Sequence, residues 1–370
     1  MPTGSQSTPL AQKIKDRIRR EGPIPVSEYM RVCLGDPEHG YYRRQTAIGA
    51  GGDFTTAPEI SQTFGELIGI WAAVAWRAMG APERVDLVEL GPGRGTMMAD
   101  GLRAARVVPG FFKAVNVQLV ESNAVLREAQ RQTLTAFAHQ VPITWHDAIA
   151  VDTAGQHPTI VLANEFLDAL PICQLVFLEG RWHKRCVGLD ADEQFTFVPG
   201  EEALPEHLPA DRPPRDGDIL EFHPDFAWVA EVLQRWATKP LAALFIDYGH
   251  TATAFGDTLQ AVRQHRYASV FDRPGEADLT AHVDFSAFRR HCLDRGLAVD
   301  GPLAQAEFLV NLGLVERAEK LMSAARPEEI GLIEAGVQRI ADPLGMGGRF
   351  KVVCARSQDV PVLPPFPPAR

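Results

Sequence analysis

The segment Val88-Glu89-Leu90-Gly91-Pro92-Gly93-Arg94-Gly95-Thr96 closes a predicted strand and opens a predicted helix near Met97. Its three glycines let the backbone approach a ligand closely, while free N–H groups and the positive end of the helix face that ligand. A dinucleotide fingerprint reads G-x-G-x-x-G; here Gly91, Gly93 and Gly95 follow G-x-G-x-G, Thr96 takes the place of the third fingerprint glycine, and Glu89 stands two residues ahead of the loop. An acid in that position suits an ammonium better than a pyrophosphate. Glu121 ends the second predicted strand, where a carboxylate accepts both hydrogen bonds of a ribose diol; its alternative role is a surface ion pair with an arginine. Asp147 follows the third strand and either meets the exocyclic amine of adenine or caps a following helix. Adenosine joined to an amino acid, without phosphates, describes S-adenosylmethionine. A methyltransferase thus accounts for more of these acids than an NAD-dependent oxidoreductase, which needs a home for its pyrophosphate.

Methyl transfer from a sulfonium is an in-line displacement by an already activated donor, so the protein has to position the acceptor, exclude water and, where needed, take a proton. Asn164, Glu165 and Asp168 follow the fourth predicted strand, beside the glycine loop in a sheet of this kind. Glu165 and Asp168 are spaced to clamp a guanidinium, and the alternative has Asp168 capping a turn before Pro171. Asp247, Tyr248 and His250 end the fifth strand and are candidates to orient the acceptor or move its proton; Tyr248 reads equally as packing, and His250 and His282 as hydrogen-bonded loop histidines. Thr55 and Thr56, ahead of a long helix, suit either a lid over the cofactor or a capped helix entry. His265, His282 and Asp284 match no common metal-site spacing, and no G-x-S-x-G elbow occurs, so neither a metal centre nor a serine hydrolase is expected.

These residues need a frame. Short apolar runs at Arg84–Leu90, Val115–Val120, Ile143–Trp145, Thr159–Ala163 and Leu241–Ile246, the earlier ones separated by stretches of helical period, read as buried parallel strands alternating with helices. That alternation predicts an α/β fold with a doubly wound sheet whose ligands lie at the carboxyl ends of the strands. Leu10–Arg20 and Val26–Cys33 read as short helices and Ser61–Met79 as a long one, with Ser61 as N-cap and Gly80 past its end. Cys173–Phe177, Trp182–Val187, Gln194–Val198 and Ile219–Phe222 read as an antiparallel insertion. A helix at Phe285–Asp294, a short strand at Leu297–Val299, three helical stretches from Leu303 to Ile340 and a last strand, Phe350–Ala355, complete the chain. The last strand is expected to be an antiparallel edge. The divisions that follow are a helical N-terminal cap with a lid loop over 1–80, the first half of the cofactor-binding core over 81–171, an antiparallel insertion plus helix over 172–239, and the second half of the core over 240–370.

At 370 residues with 45% hydrophobic residues, the chain can bury a large core, which excludes a disordered or fibrous protein. Its net charge of -10 repels phosphate backbones, so nucleic acid is not an expected partner. The longest apolar stretch, Leu67–Trp76, is about half the roughly 20 residues that span a bilayer. Five dispersed cysteines, Cys33, Cys173, Cys186, Cys292 and Cys354, read as small buried hydrophobes in a reducing compartment. With no signal layout at the start, a cytoplasmic location is expected.

Several separate blocks carry a family resemblance: Pro37-Glu38-His39-Gly40-Tyr41-Tyr42, Gly52 to Ser61, Leu90 to Thr96, Ala163 to Pro171, Ile246-Asp247-Tyr248-Gly249-His250 and Asp278 to Phe285. From about Ile24 to Val353 the sequence resembles the MidA-like S-adenosylmethionine-dependent methyltransferases, which include mitochondrial complex I assembly-factor protein arginine methyltransferases and their bacterial relatives. Ala57 stands where that family carries a serine, and the first residues resemble no organellar leader. The resemblance implies a class I methyltransferase (Rossmann-like) fold, S-adenosyl-L-methionine in the glycine loop and, in the mitochondrial members, dimethylation of an arginine on a complex I subunit. It makes a protein presenting an arginine the expected acceptor and a bacterial cytoplasm, or a mitochondrial matrix in a eukaryote, the expected compartment. A non-catalytic assembly or binding protein retaining the fold is the remaining alternative.

Overall fold

The structure, a computed structural model, describes residues 8–43 and 56–368. The chain forms two compact units, each assembled from three stretches: one from 1–54, 168–226 and 250–287, the other from 55–167, 227–249 and 288–370. The division therefore differs from the four consecutive segments suggested by the sequence. Pairing across distant stretches is the reason. Ile24 and Pro25, between the two short N-terminal helices, pair with Val187 and Cys186 of the antiparallel sheet, which draws those helices into the first unit.

The second unit carries the main sheet, whose strands we number β1 (Val85–Leu90), β2 (Val115–Val120), β3 (Ile143–His146), β4 (Thr159–Asn164), β5 (Leu241–His250), β6 (Ala298–Ala304) and β7 (Phe350–Arg356). Their order across the sheet is β3-β2-β1-β4-β5-β7-β6. The pairs β3–β2, β2–β1, β1–β4 and β4–β5 are parallel, and β7 runs antiparallel to both β5 and β6. Every residue of β1 and β4 is buried, as continuous apolar runs covered on both faces must be. The chain leaves β1 toward β2 and β3 and returns to β4 on the other side. The loops after β1 and β4 therefore meet at the point where the winding reverses, where ligands of such sheets bind.

The last strand is antiparallel but not an edge. Seven register pairs, from Ala242 with Arg356 to Tyr248 with Phe350, join it to β5, and β6 takes its other side. Val352, Val353, Cys354 and Ala355 are fully buried, a continuous run that an exposed edge would not tolerate. The predicted short strand at Leu297–Val299 is lengthened into β6 by this pairing.

Three helices of this unit matter below: α1 (Gln62–Ala78), α2 (Thr96–Ala105) and α3 (Ala124–Thr133). Ser61 is the N-cap residue of α1, although its side chain makes no capping bond, and Gly80 lies just past the end. α1 crosses α2 at glycines: a Cβ on Gly69 would lie 2.3 Å from Gly101 Cα, and one on Gly65 would lie 2.8 Å from Asp100 Cβ. Only backbone fits there. The long helix is thereby held directly on the helix that starts at the glycine loop.

In the first unit, Cys173–Leu178, Arg181–Leu189, Phe195–Glu202 and Ile219–Phe222 form the expected antiparallel sheet, completed by Ile24–Pro25. A small sheet of Gln260–Arg263, Arg266–Ala268 and Asp278–Thr280 has no counterpart in the sequence reading. Its hairpin turns at Gln264 and His265, both with positive φ (50° and 60°), without the Asn-Gly or Asp-Gly pair that usually marks such a turn. Cys173 is half-buried rather than buried, and the other four cysteines are buried; all five are free. No helix among the described residues is long and apolar enough to cross a membrane.

Replacing Gly69 by alanine is expected to force α1 off α2 and to destabilise the protein by about 1–3 kcal/mol. Gly331→Ala, in the helix Pro327–Ala341 where the new methyl meets nothing within 4 Å, is expected to stabilise it by about 0.5–1 kcal/mol. Urea midpoints read by tryptophan fluorescence compare the two; a Gly69→Ala midpoint equal to wild type refutes the close-packing argument.

Candidate cofactor and acceptor site

Gly91, Gly93 and Gly95 all have positive φ, at 63°, 54° and 82°, and Gly95 is the left-handed N-cap of α2. Side chains here would strain the turn. Its bends are closed by the Gly91 N–H donating to Val120 O at 3.1 Å and the Gly95 N–H to Pro92 O at 2.7 Å. The brace is a residue not signalled by the sequence. Gln130, fully buried on α3, donates from Nε2 to Gly93 O at 2.7 Å and accepts at Oε1 from Trp145 Nε1 at 3.0 Å. A glutamine on an amphipathic helix carries no local mark of such a role.

Three acceptors gather at the carboxyl edge of β2, β1 and β4. Glu89 is 2% exposed, its Oε2 has no partner among the described residues, and burial pushes its carboxyl up to about 8. Glu89 is in register with Leu162, so Asn164, two residues further on, projects to the same face of the sheet. Asn164 Oδ1 is likewise buried without a partner among the described residues. Glu121, two residues beyond the Leu119 that pairs with Glu89, follows the same alternation. Its Oε1 accepts the Asn123 N–H at 2.8 Å and its Oε2 lies 3.5 Å from Gln130 Nε2, while burial pushes the carboxyl up to about 7. Such a set fits a ligand carrying an ammonium at one end and a diol further along, and the open glycine loop runs beside it. Asp147 is 79% exposed and ion-paired with Arg127 of α3. No helix follows it, because residues 148–158 form turns and bends, so it caps none.

The loop after β4 is held in strain. Glu165 adopts φ 51°, a conformation costly for a non-glycine residue. Its N–H donates to Ile246 O at 2.9 Å, and its Oε1 accepts from Asn164 Nδ2 at 3.1 Å and from the Ala57 N–H at 3.4 Å. Asp247, 1% exposed, fixes the next residues: Oδ2 accepts the N–H groups of Phe166 at 3.1 Å and Leu167 at 2.9 Å, and Oδ1 accepts the Tyr248 N–H at 2.9 Å. Asp247 anchors backbone here. Tyr248 packs edge-on against Phe350, ring centroids 5.4 Å apart.

Thr56 is the N-cap residue of the turn Ala57–Ile60, with no capping bond from its side chain, and Thr55 lies outside the described residues. From the same turn Glu59 accepts the Thr96 hydroxyl at 2.5 Å. The turn is thus tied to the loop after β4 through Ala57 and to the glycine loop through Glu59, a contact that sequence reading missed.

The remaining candidates belong to the first unit. Asp168 is 4% exposed and its backbone oxygen accepts the Ala281 N–H at 3.1 Å. Nearby Tyr42 donates to Asp278 at 3.2 Å, and burial, with the charges of Asp278 and Asp168, raises its hydroxyl well above the usual range. His250 Nε2 lies 3.9 Å from Asp284 Oδ2, and burial lowers the imidazole. Asp284 accepts from Thr253 Oγ1 at 2.6 Å, Ser286 Oγ at 2.7 Å and the Ala287 N–H at 3.0 Å. His223, unmarked in the sequence, is 3% exposed and stacked on Phe226 at 4.3 Å; neither ring nitrogen has a partner among the described residues, and burial lowers it to about 3. His282 is exposed on its loop.

A sheet ordered 3-2-1-4-5-7-6 with one antiparallel strand, a glycine loop after the first strand and, within that strand, a buried acid whose Oε2 has no partner among the described residues together define a class I methyltransferase. A model of a family described as S-adenosyl-L-methionine-dependent methyltransferases matches residues 67–303, and the chain belongs to that family. It is 35% identical to the protein arginine methyltransferase NDUFAF7 homolog, mitochondrial, of Drosophila melanogaster, over 92% of this chain and 83% of that protein. The human protein arginine methyltransferase NDUFAF7, mitochondrial, is also 35% identical, over 94% and 83%. Among solved structures, a superfamily member from Burkholderia thailandensis bound to S-adenosyl-homocysteine has 29% identity and a TM-score of 0.80, covering 95% of this chain and 92% of that one. S-adenosyl-L-methionine is accordingly the cofactor, and Glu89, the glycine loop and Glu121 are the residues whose chemistry fits it.

An ammonium beside Glu89 requires the carboxylate, whereas in the free protein at pH 7 burial keeps Glu89 protonated. Cofactor binding at pH 7 should therefore release protons, and Glu89→Gln should reduce the number released by roughly one. The sign for folding is the reverse of the common carboxylate case. Between the ordinary value of 4.5 and about 8 the unfolded chain ionises Glu89 while the fold retains its proton, so this residue makes the free protein less stable as pH rises. Calorimetry in two buffers of different ionisation enthalpy measures the protons; equal release by Glu89→Gln and wild type overturns the assignment.

Proposed function

We propose that this methyltransferase acts on a protein and methylates a guanidinium nitrogen of an arginine. The observation that carries this reading is Glu165, held in a left-handed conformation at the carboxyl edge of the sheet, one residue after the unpartnered Asn164 oxygen. Strain of this kind persists where the surroundings impose it, and it concentrates at functional sites. The names of the mitochondrial relatives, protein arginine methyltransferases, support the same acceptor. When bound, the cofactor supplies an electrophilic methyl on sulfonium.

In this reading, Glu165 and Asp168 are the acids that orient the guanidinium and offset its charge, since a planar, five-donor group is held best by carboxylates. Asn164 Oδ1 accepts a hydrogen bond from the cofactor ammonium or from the acceptor. Asp247 keeps the loop bearing Glu165 in place through the backbone N–H groups of Phe166 and Leu167. Tyr248 and His250 are assigned to orienting the acceptor and receiving its proton, and burial keeps His250 neutral and able to accept one. Glu89, the glycine loop with Thr96, Glu121 and Asp147 are assigned to the cofactor, with Thr55 and Thr56 at its entrance.

Transfer of labelled methyl from S-adenosylmethionine into proteins of a lysate, followed by identification of the modified residue, tests this directly. Methylarginine is the expected product, and label confined to another residue type or to small molecules overturns the acceptor assignment. Glu165→Gln and Asp168→Asn are each expected to lower kcat by about a hundredfold or more while cofactor affinity changes less than about threefold.

A further inference from the structure

A glycine loop running into a helix is the arrangement by which dinucleotide-binding folds hold phosphate, because the first N–H groups of the helix are unmatched and its dipole favours an anion there. In this chain that place is taken by a residue of the protein itself. The first turn of α2 contains no acid, and Gly95 brings no capping side chain. Glu59, 37 residues before Thr96, supplies the carboxylate instead: its Oε1 accepts the hydroxyl of Thr96, the first residue of α2, at 2.5 Å.

The carboxylate is held there from several directions. The turn Ala57–Ile60 that carries it closes on itself, with the Glu59 N–H donating to Thr56 O at 2.9 Å and the Ser61 N–H to Ala57 O at 3.1 Å. The Ala57 N–H is bonded to Glu165. Behind the turn, a Cβ on Gly336 would lie 2.8 Å from Ile60 O, so the backbone of the helix Pro327–Ala341 rests directly against it. The charge of Glu59 is felt along α2: burial pushes the Asp100 carboxyl up to about 6 against the pull of Arg103, and the charges of Glu66 and Glu59 act in the same direction as burial. The loop's own cation, Arg94, is exposed and screened by solvent, whereas Glu59 touches the helix end itself.

We propose that Glu59 is a specificity-determining residue for the cofactor: by filling the anion position at the start of α2, it makes the glycine loop reject nucleotides whose phosphates would sit there and reserves the loop for adenosine ligands without phosphate. An incoming phosphate meets a like charge and finds the Thr96 hydroxyl already engaged. The amino-acid end of S-adenosylmethionine, with one ammonium and one carboxylate, carries no net charge and meets no such net repulsion. The assignment concerns the cofactor alone and holds whatever the acceptor.

Calorimetric titration of the full chain with ADP and with methylthioadenosine, which share adenosine and differ in the phosphates, tests it. The wild type is expected to bind methylthioadenosine at least about a hundredfold more tightly than ADP. Glu59→Gln keeps an acceptor for the Thr96 hydroxyl and removes the charge; it should bind ADP at least about tenfold more tightly than the wild type does, with methylthioadenosine changed less than about threefold. Glu59→Asp, which keeps the charge, should exclude ADP as the wild type does. A gain of binding cannot come from a variant that fails to fold. Equal affinity of the wild type for the two ligands, ADP bound no more tightly by Glu59→Gln, or both ligands shifting together overturns the proposal.

Discussion

A carboxyl group buried without a partner is expensive, and the site is organised around one. Glu89 lies within a strand flanked on both sides by buried parallel neighbours, so no solvent reaches it and no side chain among the described residues answers its Oε2. Leaving such an acceptor unsatisfied costs about 1–3 kcal/mol. Asn164 repeats the arrangement one strand away. A ligand bringing donors to that face recovers the cost on binding, so the unmet hydrogen bonds of the free protein are a source of affinity and of selectivity for a cationic end. A phosphate-bearing cofactor would bring no donor to that acceptor and would oppose the ionisation of Glu89.

The groups around those two acceptors are, by contrast, satisfied. Gln130 bonds the glycine loop and Trp145 together, and Asp247 accepts three backbone N–H groups. A fully bonded buried polar group has one position, and a loop pinned by it inherits that position. The strained Glu165 depends on this support, since its conformation is held by Asp247 on the following residues and by Ile246 on its own N–H. The glycine contact between α1 and α2 performs the same service without hydrogen bonds. With no side chains between them, the two backbones touch, and α2 cannot shift at the cofactor loop without moving the longest buried helix of the unit.

The strands of the main sheet and the glycine turn were legible because their signals are local. Buried parallel strands are continuous apolar runs, and a turn with three positive-φ residues needs glycine at each. The acids Glu89, Glu121 and Glu165 were legible by position alone, since each is set by the carboxyl end of a strand. Gln130, Glu59 and His223 were not. Each acts through a partner far away in the chain or through the absence of one, and neither leaves a pattern in neighbouring residues. The hairpin at Gln264–His265 was hidden for a simpler reason: its turn residues are not the ones that favour a left-handed backbone.

From the amino-acid order came the fold class, the cofactor loop and the set of acids at the strand ends, because hydrophobic period and glycine placement act over a few residues at a time. Tertiary structure alone decided that the last strand is inserted beside β5 instead of capping the sheet, that the N-terminal helices join the antiparallel unit, that Asp247 anchors a loop, and that Glu89 and Asn164 keep buried oxygens without a partner among the described residues. Those outcomes depend on which distant segments pair and on what remains unsatisfied after they have done so, and long-range pairing is settled by burial summed over the whole chain.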